Sequence, residues 1–210
     1  MMTPIEALDY LGVALFAATG AFAASRKQLD FIGFIFLGAA TGIGGGTARD
    51  LILDVPVFWI VEPTYLLICA CTSIGIYFTA PFVESRYKVL LWLDALAMAS
   101  YSVYGAYKGL SLTGSAAVAI VMGMFTAALG GIIRDIIARE PSVLLRREIY
   151  IAACAVGAAI YVVAEGLEYS TWISATAGFV FAFIIRGGTI KYGWRLPAYR
   201  SAPGRDPKDL

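Results

Sequence analysis

No histidine occurs among the 210 residues, which removes the commonest metal ligand and the usual general base near neutral pH. Cysteine is scarce: Cys69, Cys71 and Cys154 all lie in apolar segments, at no zinc or disulfide spacing, and read as small buried fillers. Charge is scarce as well, at 15% of residues with a formal net charge of +1. That balance excludes the broad basic face of a nucleic-acid-binding protein, so no nucleic-acid partner is expected. Without a nucleophile–base pair or a ligand cluster, no catalytic residue, metal or cofactor is expected, and the chain does not read as an enzyme. Residues 1–25 lack a basic segment ahead of their apolar run, so they are not expected to be a cleaved signal peptide.

What the chain has in abundance is apolar length. Hydrophobic residues make up 60% of it, and its mean hydropathy is +0.76. A soluble domain of this size has too much surface to hide that composition. About 20 apolar residues cross a bilayer as a helix, and seven such runs can be marked at 7–25, 31–55, 64–83, 89–107, 114–138, 148–165 and 171–189. Short polar segments separate them, among them Lys108–Thr113 and Arg139–Arg147. Helices are expected throughout, because backbone in lipid must satisfy its own hydrogen bonds. The expectation is an all-α integral membrane protein with seven transmembrane helices, in contact with the lipid bilayer.

Orientation follows from the basic residues. With alternate connections on opposite sides, one side receives Arg26, Lys27, Arg86, Lys88, Arg139, Arg146 and Arg147, together with a C-terminal flank of Arg186, Lys191, Arg195, Arg200, Arg205 and Lys208. The other side receives Lys108 alone, while Arg49 and Arg134 fall inside spans. This asymmetry places the C-terminus in the cytoplasm and the N-terminus outside a multi-pass plasma (inner) membrane protein.

The segment Gly38–Asp50, GAATGIGGGTARD, returns 85 positions later as Gly123–Asp135, GMFTAALGGIIRD. The same offset pairs Asp9 with Asp94, Gly20 with Gly105, Pro56 with Pro141, Tyr65 with Tyr150 and Cys69 with Cys154. Each copy holds three spans, and three is odd, so the second copy must run through the membrane in the opposite sense. The expected architecture is an inverted repeat of two three-helix units, 7–83 and 89–165, plus a seventh helix at 171–189 that packs outside them.

Helical spacing sorts the motif into two stripes. Thr41, Gly45 and Arg49, matched by Thr126, Gly130 and Arg134, recur every fourth residue on one side. Gly38, Gly42, Gly46 and Asp50, matched by Gly123, Ala127, Gly131 and Asp135, form a small-residue stripe suited to close helix packing. The first stripe offers hydroxyl, bare backbone and guanidinium, which suits the wall of a transport path. Gly44–Gly46 and Gly130–Gly131 weaken their helices, and local unwinding there would free carbonyl oxygens for a dehydrated cation; close packing is the alternative use. A charge at mid-membrane costs about 2.5–3.5 kcal/mol by insertion scales, so Arg49 and Arg134 need water or a carboxylate. Span direction suggests Asp9 for Arg49 and Asp94 for Arg134, with Asp50 and Asp135 bracing the helices.

With its doubled Gly-Gly-x-x-Arg-Asp segments inside seven spans, the chain resembles a prokaryotic member of the trimeric intracellular cation (TRIC) channel family over roughly residues 5–190. The resemblance implies a homotrimer with a pore in each protomer, conducting monovalent cations passively with K⁺ favoured over Na⁺. It also implies that the second and fifth spans bend at Gly44–Gly46 and Gly130–Gly131 and line that pore. Residues 1–190 then form the channel domain, and 191–210 a basic cytoplasmic tail. Residues 89–107 lack the lysine-centred motif of animal members, so animal-type gating is not carried over. Bacterial relatives are also described as glycine transporters, which keeps open a secondary transporter of a small solute.

Overall fold

The structure, a computed structural model, describes residues 4–142 and 149–197. The apolar runs become α1 (Pro4–Arg26), α2 (Phe31–Ile52), α4 (Thr64–Thr79, extended by a 3₁₀ turn at Ala80–Phe82), α5 (Arg86–Thr113), α6 (Ala116–Ile137), α7 (Ile151–Gly166) and α8 (Thr171–Tyr192). A four-residue helix, α3 (Phe58–Val61), lies between α2 and α4. Six of these elements are long and apolar enough to span a membrane, and α7 is shorter, at 16 residues.

Helix starts and stops follow local chemistry. The Asp30 carboxylate accepts from the Gly33 amide at 2.7 Å and the Ser115 hydroxyl from the Val118 amide, which satisfies orphan donors at the starts of α2 and α6. Gly114, at φ 65°, closes α5 in the left-handed conformation that glycine adopts without strain. Two boundaries differ from the sequence reading. Lys108–Thr113, read as a connection, forms the last turns of α5, because the loop needs only Gly114 and Ser115. The second span ends at Ile52, since Asp54 turns to φ 54° and Val55 bonds back to the Asp50 carbonyl. Arg146, Arg147, Arg200, Arg205 and Lys208, together with most of the basic tail, lie outside the described residues.

At the centre, α1 packs on α2 and α5, and α6 packs on α2 and α5; α4 flanks α1 and α2, and α7 flanks α5 and α6. Chain direction puts the start of α1, the end of α2, the start of α4 and the end of α5 together, here termed the Asp9 end. The opposite, Asp94 end gathers the start of α5, the end of α6, the start of α7 and the end of α8.

Contacts recur at the 85-residue offset. A Cβ on Gly20 would meet the Thr41 hydroxyl and the Leu37 carbonyl; one on Gly105 would meet the Thr126 hydroxyl and the Met122 carbonyl. Gly38 abuts Ser73 and the Ala17 carbonyl, and Gly123 abuts Ala158 and the Ser102 carbonyl. Asp54 and Arg139 share a positive φ, at 54° and 51°. Phe16 and Tyr101, themselves equivalent, touch each other with ring centroids 5.4 Å apart. The seventh span, α8, packs outside the two three-helix units against α5 and α7: Gly178 packs on the Gly157 carbonyl, and Ser174, Ala175, Ala182 and Arg186 are buried.

Candidate functional site

The motif glycines sit where helix backbones meet. A Cβ on Gly45 would overlap the Thr126 carbonyl oxygen, and one on Gly130 would come within 2.8 Å of the Thr41 carbonyl oxygen. Gly44 faces Ile133, Gly46 faces the Phe58 ring, and Gly131 faces the Tyr150 hydroxyl and Asp94. Both α2 and α6 run as unbroken α-helix through these glycines, so of the two uses the sequence left open, local unwinding and close packing, the structure has the second. The physical reason is that the missing side chains are used to bring α2 and α6 into backbone contact, the alternative use of such glycines. The Thr41 and Thr126 hydroxyls donate to the preceding turn, at Leu37 O and Met122 O, each at 2.6 Å. They face Gly20 and Gly105 rather than an open path.

Each end of this seam carries a buried charge cluster. At the Asp9 end, Arg49 Nε donates to Asp50 Oδ1 at 2.8 Å, and both residues are fully buried. The other Asp50 oxygen accepts from the Phe58 amide at 3.0 Å, and the Trp59 indole donates to Thr47 Oγ1 at 2.9 Å; together they fold α3 back over the end of α2. Lys108 Nζ reaches across from α5 to Asp50 Oδ1 at 3.3 Å. The Arg49 guanidinium lies over the Tyr104 ring, 5.0 Å from its centroid, where cation–π attraction offsets lost hydration.

Asp9 does not pair with Arg49 as the sequence suggested. Its Oδ2 accepts from the Tyr65 hydroxyl at 2.6 Å, and Arg49 turns to its own neighbour Asp50. Arg49 closes on the adjacent carboxylate within its own helix, and the Asp9 oxygen that could face it is taken by the Tyr65 hydroxyl. At the Asp94 end the interhelical pair is made. Arg134 Nη1 donates to Asp94 Oδ1 at 2.8 Å, while Nε and Nη2 hold Asp135 Oδ1 at 3.0 and 2.9 Å. Asp9 Oδ1 and Asp94 Oδ2, at equivalent positions, are buried with no hydrogen-bond partner among the described residues.

Sequence reasoning missed three contributors. Tyr65 and Tyr150 were visible as a repeated pair but carried no assigned role. Arg186 was counted with the C-terminal flank, yet it is fully buried within α8, its Cζ 4.9 Å from the Tyr150 ring centroid. Its signal was its place inside the apolar run 171–189. Above the Asp9 cluster, a cavity of about 460 Å³ opens between Val55, Phe58, Glu62, Tyr65, Tyr107 and Lys108.

Spanning helices with balanced charge held at both ends of a glycine seam define a multi-pass helical membrane protein of the transport class. The profile of the family described as Glycine transporter matches the chain twice, over residues 6–81 and 91–166, the two matches being 85 positions apart. A solved structure described as the TRIC trimeric intracellular cation channel orthologue from Rhodobacter sphaeroides superposes with a TM-score of 0.89 at 43% identity, covering 92% of this chain and 100% of that one. A UPF0126 membrane protein of Vibrio cholerae is 36% identical, over 91% of this chain and 81% of its own length. The UPF0126 inner membrane protein YadS of Escherichia coli K12 is 35% identical, over 91% and 94%. The chain belongs to this membrane-protein family and is a prokaryotic member of the TRIC family. The similar solved structures are ion channels, not enzymes.

Proposed function

We propose that the chain is a monovalent-cation channel that favours K⁺ over Na⁺ and conducts passively, without nucleotide or cofactor, through each protomer of a homotrimer. The observation that carries this reading is the pair of carboxylate oxygens, Asp9 Oδ1 and Asp94 Oδ2, buried at equivalent positions at opposite ends of the α2–α6 seam without a hydrogen-bond partner among the described residues. Each is an acceptor that a partly dehydrated cation can use in place of water. Likeness to a structure described as a cation channel supports the same assignment. Repeated contacts at the 85-residue offset fit two units of opposed topology, the build of many transport proteins. The bias of the basic residues supports an Asp9 end outside and an Asp94 end in the cytoplasm.

Planar-bilayer recording with K⁺ on one side and Na⁺ on the other tests the proposal. Unitary current steps with a reversal potential favouring K⁺ are expected, and native mass spectrometry of the purified protein should give a trimer. The family's description favours a second reading, a secondary transporter of glycine. Glycine-dependent uptake into liposomes without unitary steps would establish that reading and refute the channel.

A further inference from the structure

Asp9 and Asp94 are equivalent in the repeat, but their surroundings are not. Asp94 already holds a cation: Arg134 Nη1 stands 2.8 Å from its Oδ1. Asp9 makes no ion pair among the described residues, because the two cations nearest to act on it, Arg49 and Lys108, both rest on Asp50. Its Oδ2 accepts from the Tyr65 hydroxyl at 2.6 Å, and Tyr104 faces the carboxylate as well. Its Oδ1 is buried without a hydrogen-bond partner among the described residues.

The two tyrosines of the repeat differ in the same way. The Tyr65 ring is clamped: it stacks on Tyr10 with centroids 4.9 Å apart and meets Phe58 edge-on at 4.7 Å. Tyr10 corresponds to Ala95 in the second unit, so that stack has no counterpart there. Tyr150 instead carries the Arg186 guanidinium on its ring, and its hydroxyl donates to the Ala127 carbonyl at 3.4 Å. Tyr65 also lines the cavity of about 460 Å³ above the Asp9 cluster, where Glu62 is exposed and accepts from the Tyr10 hydroxyl at 2.5 Å. One phenol thus joins an open cavity to a buried carboxylate that carries no ion pair among the described residues.

We propose that the Asp9 end holds a site for a partly dehydrated monovalent cation, made by Asp9 and kept in place by Tyr65, and that it is the stronger of the two carboxylate sites. It rests on the cation-channel reading above. A phenol donates one hydrogen bond and brings no charge, so Tyr65 fixes Oδ2 and leaves the negative charge to an ion at Oδ1. At Asp94 a charge-assisted bond from Arg134 already meets that charge. Tyr65 is a positioning residue, acting on the ion through Asp9.

Two measurements test this. Thallium(I) is close to K⁺ in charge and radius and scatters anomalously. Crystals of the wild-type protein soaked in it should show a peak against Asp9 Oδ1, stronger than any at Asp94. Single-channel recording in symmetric KCl of about 0.1 M gives the second readout. Tyr65→Phe keeps the ring and removes only the hydroxyl. It should lower the unitary K⁺ conductance about threefold, a small part of the roughly tenfold or more that a hydrogen bond to a charged group is worth in affinity. A purely structural role would reduce the number of channels and not the size of each step. Tyr150→Phe should keep the wild-type conductance. Asp9→Asn should lower it at least as far as Tyr65→Phe does, and adding Tyr65→Phe to Asp9→Asn should lower it no further.

A thallium map with no peak at Asp9, or a stronger one at Asp94, overturns the proposal even where a variant fails to assemble. Wild-type conductance in Tyr65→Phe, an equal loss in Tyr150→Phe, or additive losses in the double variant overturn it while leaving the channel reading standing. Wild-type protein that passes no unitary current overturns the channel reading and this proposal with it.

Discussion

Replacing Gly45 with alanine tests the seam between α2 and α6 most directly. The added Cβ would overlap the Thr126 carbonyl oxygen and approach the Gly130 amide nitrogen to 3.3 Å, so it meets backbone and not a side chain that could swing away. Overpacking of this kind costs about 1–3 kcal/mol, and an obstacle made of helix backbone belongs at the upper end. Alanine recovers about 1 kcal/mol of helix propensity relative to glycine. The net expectation is a loss of about 2 kcal/mol. Gly75 is the control: it is a mid-helix glycine of α4 with nothing within 4 Å of an added Cβ, so Gly75→Ala should gain up to about 1 kcal/mol. Equilibrium unfolding in mixed detergent micelles, followed by tryptophan fluorescence, should separate the two variants by about 3 kcal/mol. Gly130→Ala, at 2.8 Å from the Thr41 carbonyl, should fall between them. A Gly45→Ala protein as stable as Gly75→Ala would refute the backbone-contact account and return these glycines to an open path wall.

Two further outcomes follow from the charges. A cysteine placed at Glu168 should react with an impermeant thiol reagent added outside the cell and one placed at Arg86 should not; the reverse pattern would overturn the orientation. Arg134→Gln should destabilise the protein by about 3–5 kcal/mol, because it leaves Asp94 and Asp135 buried without their shared cation, and adding Asp94→Asn should recover part of the loss. Strict additivity of the two substitutions in a double-mutant unfolding cycle would show that the pair is not coupled.

The spans were legible because lipid leaves the backbone few choices, and seven apolar runs of sufficient length announce seven helices. The repeat was legible because glycine and charge recur in register, and its contacts reappear residue for residue in the packing of Gly20 and Gly105. What the sequence did not disclose was the direction in which short side chains point. Helical periodicity placed Thr41, Gly45 and Arg49 on one stripe, but it could not say that the opposing helix fills that stripe. The Asp9–Arg49 pairing was argued from depth alone, and depth does not distinguish a carboxylate on the next helix from one on the next residue. Arg186 was misplaced for a related reason: a basic residue near the end of a span reads as a flank until the bundle shows it turned inward.

The contact between Phe16 and Tyr101 has an evolutionary consequence. In the two-fold arrangement proposed for the repeat, equivalent residues meet at the axis, so an ancestor formed from two separate identical chains would present the same side chain twice at this spot. No substitution in such an ancestor could make the two differ. In the joined chain they do differ: the Tyr101 hydroxyl donates weakly to the Gly42 carbonyl, at 3.5 Å, and Phe16 has no atom with which to return the bond. A single joined chain thus frees the centre of the molecule from enforced equality. One polypeptide can adjust its two faces independently, where a pair of identical chains would have to change both at once.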